Sequence, residues 1–329
     1  MKIAVVGATG LVGSVMLKVL EERGFANEEI LVAASPKSCG RRIAFAGREL
    51  TVQSVESVAE QHPRYAIFSA GAAASRQYAP VFAAGGTTVI DNSSAWRMDD
   101  SVPLVVPEIN IDAVGCDSRL IANPNCSTIQ MVLALSGLQR RYGIRRLVVS
   151  TYQSVTGTGM KAIRQLEAEE RGEQPEAMAY PCPIHRNLFP HGGDFADDLY
   201  TTEEHKLVNE TRKIFGNPAI AVSATVARVP VVGGHSESVN AELCEEFDLD
   251  DVRRIIATTE GCVLYDDVSR QLYPTPLLSH GKDEVFVGRV RRDPSQPRTL
   301  NMWVVADNLR KGAATNAIQI MQRLLEREK

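Results

Sequence analysis

The chain has 329 residues, of which 44% are hydrophobic and 23% are charged, a composition that excludes extensive disorder. Lys and Arg number 36 and Asp and Glu 40, so the net charge is −4, which argues against binding to nucleic acid or a membrane surface through bulk electrostatics. No apolar run approaches the ~18 residues needed to span a bilayer, and no secretion signal opens the chain, so we expect a cytoplasmic protein.

The cysteines do not predict a metal site or a disulfide framework. The chain contains no Cys-x-x-Cys pair and no His-Cys cluster with the spacing of zinc ligands. Most thiols should be small core residues, and a functional cysteine must be distinguished by its setting. The six cysteines lie at positions 39, 116, 126, 182, 244 and 262.

The first part of the chain alternates between strand and helix patterns. Short apolar runs predict strands at 2–6, 30–34, 65–69 and 88–90, and apolar residues at helical spacing predict helices at 10–23 and 73–84. Such alternation favours a parallel sheet with helices on both faces.

The rest of the chain has longer strand patterns. Alternating polarity predicts strands at 146–152, 219–229, 235–244 and 285–290, with helices at 159–171, 202–215 and, at the end, 311–328. We therefore predict an α/β protein in which a Rossmann-like domain, 1–122, is completed by the C-terminal helix, 308–329. A second, α+β domain with a mostly antiparallel sheet spans 123–307. The proline-bearing region 172–200 is the least regular part and is a candidate for a subunit contact.

A glycine-rich turn lies between the first predicted strand and helix. Gly7-Ala8-Thr9-Gly10-Leu11-Val12-Gly13 provides small residues that allow the backbone to approach a pyrophosphate, and the following helix N-terminus offers N–H donors. This context predicts a dinucleotide site; the alternative is a tight turn without a ligand.

The segment after the second strand favours NADP over NAD. NAD enzymes usually have an acidic residue here, which holds the ribose hydroxyls. Residues 33–42 contain no acid, but they contain two serines, Ser35 and Ser38, and the cations Lys37, Arg41 and Arg42. That chemistry suits a 2′-phosphate, and the alternative is a solvated basic loop.

Cys126 has the setting of a nucleophile. Asn125 is a candidate N-cap for an apolar helix, which places Cys126 in the first helical turn. A helix N-terminus lowers a thiol's pKa and supplies backbone donors for an oxyanion. The alternative is a buried cysteine that happens to lie near a helix start.

Further polar residues follow at strand ends and on one helix. Arg228 ends a strand and lies seven positions before His235, which suits a carboxylate clamp and a proton handler. Thr201-x-x-Glu204 predicts a capping box, and Glu203 and Lys206 lie on one face of the helix that follows. The alternative for this last pair is an exposed ion pair.

Together these segments resemble the aspartate-β-semialdehyde dehydrogenase family. The resemblance covers nearly the whole chain in family order. The matching stretches are 7–13, 92–98, 106–110, 123–130, 152–159, 228–230, 234–236 and 306–314.

The resemblance implies a reductase that makes aspartate semialdehyde from aspartyl 4-phosphate with NADPH, for lysine, threonine, methionine, isoleucine and diaminopimelate synthesis. The family is usually a homodimer or a dimer of dimers. The catalytic residues would be the nucleophile Cys126, the general acid/base His235 and the substrate-orienting Gln153. Substrate and phosphate would be held by Arg228 for the carboxylate, Glu203 for the amino group, and Arg97, Asn125 and Lys206 for phosphate. The NADP contacts would be Thr9, Gly10, Leu11, Val12, Ser35, Ser38, Thr156, Gly157 and Asn308.

Two alternatives remain open. One is another thioester-forming reductase, of the N-acetyl-glutamyl-phosphate or malonyl-coenzyme A type. The other is a non-catalytic paralogue that binds a nucleotide, although Cys126, Gln153, Arg228 and His235 are all present.

Overall fold

The computed structural model describes residues 1–328, which form two compact units. The first unit comprises Met1–Asn125 and the segment from Ala313 onward, and the second comprises Cys126–Gly312. The predicted boundaries, 122/123 and 307/308, lie a few residues from these. Residue 329, the last of the predicted first domain, lies outside the described residues. Within the described part of the chain, no helix is long and apolar enough to cross a bilayer.

The first unit alternates between strands and helices, as predicted. Its strands are β1 (Lys2–Val6), β2 (Glu29–Ala33), β3 (Arg42–Phe45), β4 (Arg48–Thr51), β5 (Tyr65–Phe68), β6 (Thr88–Asp91) and β7 (Leu120–Ala122). Its helices are α1 (Leu11–Leu20), α2 (Val55–Ala59), α3 (Ala72–Ala84), α4 (Pro107–Asn110) and, after the second unit, α10 (Thr315–Arg327).

Five of these strands form a parallel sheet in the order β2-β1-β5-β6-β7. Their side chains are apolar and buried, as expected for strands covered on both faces. The predicted amphipathic face of the C-terminal helix is confirmed, because Ala317, Ile320 and Met321 belong to the same buried cluster as Ile3 and Val5.

The second unit contains longer strands. They are β8 (Ile144–Ser154), β9 (Ala221–Val229), β10 (His235–Leu243), β11 (Cys262–Leu264), β12 (Val285–Arg292) and β13 (Thr299–Ala306). The helices are α5 (Cys126–Tyr142), α6 (Met160–Glu170), α7 (Thr202–Ile214), α8 (Leu249–Thr258) and α9 (Pro276–Ser279).

These six strands form one mixed sheet in the order β11-β12-β13-β10-β8-β9. Three neighbouring pairs are antiparallel, and the pairs β8–β9 and β11–β12 are parallel. The apolar helix α5 packs against β8, β10, β12 and β13, which buries most of its residues. The region 172–200 contains no helix or regular strand, as predicted.

Several elements differ from the sequence-based prediction. The strand predicted at 146–152 is longer in the structure, because β8 continues to Ser154 beside β9. The hairpin of β3 and β4, the helix α8 and the strand β13 were not predicted. The alternation of buried Leu300, Met302 and Val304 was a signal for β13, whereas β7 and β11 are too short to show a period.

Candidate active site

Cys126 is the first residue of α5, so the prediction that it lies in the first helical turn is confirmed. Its side chain is partly exposed, while the residues that follow it are buried. Gly312 lies against it, because a Cβ on that glycine would be 2.9 Å from the Cys126 Cβ. The aligned peptide dipoles make a helix N-terminus a place that favours negative charge.

The last residues of β8 and β9 and the first residue of β10 lie side by side at one end of the strands of the mixed sheet. β8 and β9 run parallel with Gln153 beside Arg228, and β10 runs antiparallel to β8 and begins at His235. The Nε2 of Gln153 donates to the Ser127 Oγ over 2.8 Å, which ties this end of the sheet to the first turn of α5. The sheet register therefore brings Gln153, Arg228 and His235 together near Cys126.

The His235 ring is fully buried and its position is fixed by the backbone. The Ser154 N–H donates to Nδ1 over 3.0 Å, so the neutral ring carries its proton on Nε2. Burial, and then the nearby Arg228 charge, hold the pKa of His235 well below its usual value. Nε2 has no hydrogen-bond partner within residues 1–328, which leaves this N–H available for a substrate oxygen.

Arg228 is buried beside His235. Its Nη1 donates to the Ser154 carbonyl over 2.7 Å, and its backbone exchanges two hydrogen bonds with Phe189 of the irregular region. Gly157 lies between the two side chains, since a Cβ there would be 2.7 Å from Arg228 Nη1 and 3.1 Å from His235 Nε2. Glycine at 157 thus leaves the room that these two groups need.

Glu203 and Lys206 form an ion pair on the first turns of α7. The predicted capping box is confirmed, because the Thr201 hydroxyl accepts from Glu204 N and the Glu204 carboxylate accepts from Thr201 N. The two side chains are only 15% and 27% exposed, which argues against a solvated surface pair. A Cβ on Gly192 would be 3.3 Å from Glu203 Cγ and 3.6 Å from Arg228 Nη2, so both groups border the same space.

Thr156 and Asn308 are linked beside the same end of the sheet. The Thr156 hydroxyl donates to the Asn308 side-chain oxygen over 2.8 Å and also contacts the Ser154 hydroxyl at 2.7 Å. Ser154 therefore connects His235, Arg228 and Thr156 through its amide, carbonyl and hydroxyl groups.

The first unit contains a separate cavity of about 390 Å³ at the glycine-rich turn. Thr9, Gly10 and Ser35 line it, as the dinucleotide prediction requires, whereas Leu11, Val12 and Ser38 lie nearby in the chain but outside the lining. No side chain caps α1, so its first N–H groups are open to an anion. A Cβ on Gly7 would be 2.3 Å from the Ser69 carbonyl oxygen, which explains the need for glycine there.

Sequence reasoning missed an acid in this cavity. Glu56 of α2 is part of the lining, and its carboxylate accepts a hydrogen bond of 2.5 Å from the Tyr78 hydroxyl. The Tyr78 hydroxyl lowers the pKa of Glu56. The segment after β2 does lack an acid, but this one arrives from a later helix, and no local pattern predicts that.

The remaining predicted phosphate ligands of the first unit, Arg97 and Asn125, are buried. Arg97 donates to the carbonyls of Asn123, over 2.9 Å, and of Asn92, over 3.0 Å. These contacts fix the guanidinium close to the chain that leads into Cys126.

A buried acid, Glu237, lies on the strand that begins at His235. Glu237 points to the inner face of the sheet two residues after His235, and neither carboxyl oxygen has a hydrogen-bond partner among the described residues. Burial raises the pKa of Glu237 well above its usual value, while the Gln130 amide opposes the shift. The sequence did contain a signal for Glu237, because it is an acid at an inward-facing position of a strand whose polarity alternates.

Comparison with known proteins places the chain in a family. It matches family models for the semialdehyde dehydrogenase NAD binding domain over residues 2–115 and for the semialdehyde dehydrogenase dimerisation domain over residues 135–311. Aspartate-semialdehyde dehydrogenase of Aquifex aeolicus is 47% identical, with 99% of this chain and 98% of that protein covered. The same-named protein of Legionella pneumophila is 46% identical, with 100% and 96% covered.

A solved structure agrees with these relatives. The crystal structure of aspartate semialdehyde dehydrogenase II from Vibrio cholerae complexed with ASA is 43% identical, covers 99% of this chain and 98% of its own, and superimposes with a TM-score of 0.94. The chain belongs to the aspartate-semialdehyde dehydrogenase family.

Proposed function

We propose that this chain catalyses the reversible, NADPH-dependent reductive dephosphorylation of L-aspartyl 4-phosphate to L-aspartate 4-semialdehyde, in the biosynthesis of amino acids of the aspartate group. The observation that carries the proposal is the convergence of His235, Arg228 and Gln153 beside the helix that begins at Cys126. Family membership agrees with this reaction.

Cys126 is the proposed nucleophile. Its thiolate attacks the acyl carbon of aspartyl phosphate, a C–S bond forms, the C–O bond to phosphate breaks, and a thioester and free phosphate result. NADPH, when bound, supplies the hydride. Once the thioester carbon has gained the hydride, its oxygen is an oxyanion and the carbon is still bonded to Cys126. This tetrahedral species collapses, which breaks the C–S bond and releases the aldehyde and the thiolate.

His235 acts at its Nε2 atom. As the ring stands, Nε2–H is a donor, so it stabilises the substrate oxygen as negative charge develops there. The lowered pKa keeps the ring neutral near pH 7, as a neutral donor requires. To act as the general base expected from the resemblance, the ring must lose its Nδ1 contact and adopt the other tautomer.

The remaining assignments follow the charges. Arg228 offers paired donors to the substrate carboxylate. Glu203 borders the same space, and its negative charge complements the ammonium group of the substrate. Recognition of a free ammonium group disfavours the N-acetylated substrate of the alternative reductase, the N-acetyl-glutamyl-phosphate type. Gln153 orients the substrate, and Lys206, Arg97 and Asn125 are the proposed phosphate ligands.

The proposed cofactor is NADP. Thr9, Gly10, Leu11 and Val12 form the turn and helix start that receive the pyrophosphate, supported by the uncapped N-terminus of α1. Ser35 and Ser38, with the nearby Arg41, would hold the 2′-phosphate. In the second unit, Thr156, Gly157 and Asn308 are the proposed contacts of the nicotinamide end.

One assay tests the reaction. The purified protein should reduce NADP when given aspartate semialdehyde and phosphate, with NAD and an N-acetylated aldehyde as comparisons. Cys126→Ala should abolish turnover yet retain NADP binding by fluorescence titration. Turnover that survives in this variant would refute the nucleophile, and equal use of NAD would refute the cofactor choice.

We further propose a homodimer or a dimer of dimers, supported by the dimerisation-domain match over 135–311. Light scattering over a range of concentrations distinguishes a monomer, a dimer and a tetramer. The cytoplasmic location, and a subunit contact made by 172–200, stay predictions.

A further inference from the structure

We propose that Asp307 is a positioning residue for this reaction, because one buried carboxylate fixes both the turn that enters His235 and the segment that carries Asn308. The inference rests on the proposed function, which assigns His235 to the substrate oxygen and Asn308 to the cofactor. Asp307 is assigned no contact with the substrate or the cofactor, so it is not a catalytic residue.

Asp307 holds the Asn308 segment from within. It directly follows Ala306, the residue of β13 that pairs with His235 in register. Its Oδ1 accepts from Leu309 N over 2.9 Å and from Arg310 N over 3.2 Å, and its carbonyl accepts from Gly312 N over 3.1 Å. These bonds set the turn that directs Asn308 to Thr156 and Gly312 to Cys126.

The second carboxylate oxygen reaches another loop. Oδ2 accepts from Gly281 N over 2.8 Å and lies 3.5 Å from His280 Nδ1. The Asp307 side chain is 4% exposed, so the bonds to both loops are shielded from water.

That loop supports the turn before His235. A Cβ on Gly233 would be 2.2 Å from His280 Nδ1, so the imidazole of His280 lies directly over this glycine. A Cβ on Gly234 would be 2.6 Å from Ser279 Oγ and 3.3 Å from the Ala306 carbonyl oxygen. The turn is therefore held between the loop and the end of β13, and Asp307 joins the two.

Asp307→Asn separates the two functions of the carboxylate. Asn keeps one oxygen, which still accepts from Leu309 N and Arg310 N. Two amides point at the Oδ1 position and only one at Oδ2, so the orientation that keeps the amide oxygen at Oδ1 loses fewer hydrogen bonds. In that orientation the amide nitrogen faces the Gly281 N–H, donor against donor. The variant therefore releases the His280 loop while the Asn308 turn persists.

We expect Asp307→Asn to lower kcat by roughly 10- to 100-fold, because a shift of about 1 Å at a reacting group is enough for such a loss. The KM values for aspartate semialdehyde and phosphate should change little, since Arg228 and Lys206 are not held by Asp307. kcat is expressed per cofactor-binding site, counted by fluorescence titration, so that unfolded protein does not contribute. Without cofactor, the rate of Cys126 alkylation by iodoacetamide should stay near that of wild type, because the Gly312 turn persists.

Asp283→Asn is the matched control. It makes the same chemical change on the same loop, at a carboxylate that accepts from the Arg310 side chain, through Nε over 2.8 Å, and not from the backbone amides of the Asn308 turn that Asp307 holds. His280→Ala is the second variant, whose exposed side chain can be removed without a threat to folding.

A kcat of Asp307→Asn within about twofold of wild type, or an equal loss in Asp283→Asn, overturns the inference. If Asp307→Asn does not fold, His280→Ala decides, and unchanged kcat in that variant overturns it. A wild-type protein that does not turn over aspartate semialdehyde refutes the proposed function instead, which is a separate result.

Discussion

Arg228 shows how one buried side chain can combine a structural contact with a proposed contact to substrate. Arg228→Lys keeps the charge but loses the planar fork, of which one nitrogen already donates to the Ser154 carbonyl. We expect a loss of roughly 30- to 1000-fold in kcat/KM for aspartate semialdehyde. Steady-state kinetics with each substrate varied in turn measure the loss. A similar loss in the phosphate constant, or only a lower melting temperature, would refute the carboxylate role.

Glu237 gives a prediction about stability and pH. Its folded pKa is raised, so above about pH 4.5, where the unfolded chain ionises, the unfolded state binds fewer protons than the folded state. Its contribution to stability is therefore lost as pH rises towards the folded pKa, by about 1.4 kcal/mol per pH unit. Glu237→Gln removes this titration, so its advantage over wild type should grow with pH in that range.

Urea unfolding of both proteins at a series of pH values measures the difference. Glu242→Gln, on the same strand, is the control, because Glu242 has an ion-pair partner in Arg145 and its replacement should destabilise the protein. A difference between Glu237→Gln and wild type that does not depend on pH would contradict the raised pKa.

The candidate site could be predicted in part from single residues. Cys126, Arg228 and His235 stand out because their residue types occur next to element boundaries. The position of Gly157 between Arg228 and His235 could not be predicted, because it depends on the register of three strands that are distant in sequence. Glu56 was missed because a later helix, α2, brings it to the cavity, whereas Glu237 did have a signal, an acid at an inward position of an alternating strand.

At the scale of elements, α7 links capping to the site. Thr201→Ala removes the side-chain acceptor for Glu204 N, at a cost of about 1 kcal/mol, and should loosen the first turn, which carries Glu203. We expect KM for aspartate semialdehyde to rise several-fold. Asp248→Ala removes the comparable cap of α8, so it should lower stability similarly and leave KM unchanged. Equal KM values in the two variants would contradict this assignment.

The elements that the sequence predicted are those with a long, regular pattern. α3, α7 and α10 agree with the predicted segments to within a few residues, because many positions contribute to each period. The mixed direction of the second sheet was harder to predict. The parallel pairing of β8 with β9 depends on the connection through α6, the irregular region and α7, and strand polarity alone does not indicate direction.

At the scale of the whole molecule, the first unit depends on the end of the chain. Removal of residues 313 onward would strip Ile318, Ile320 and Met321 from its core. Each such side chain stabilises by about 1.5–3 kcal/mol, so the sum is a large part of the ~5–15 kcal/mol that holds a domain folded. We expect a chain that ends at Gly312 to lose NADP binding.

Fluorescence titration and limited proteolysis within residues 1–125 measure this loss. A synthetic peptide of the missing sequence should restore binding, and a peptide of the same composition in scrambled order should not. Normal NADP binding by the shortened chain would show that the C-terminal helix is dispensable to this core.

The return of α10 to the first unit also has a consequence for synthesis in the cell. The first 125 residues leave the ribosome early, but the helix that covers their apolar surface is translated only after the whole second unit. At ~5–20 residues per second, the second unit and the helix after it take roughly 10–40 s to make, during which that surface has no permanent cover. Nascent chains of this protein are therefore expected to be clients of ribosome-associated chaperones until α10 has been made.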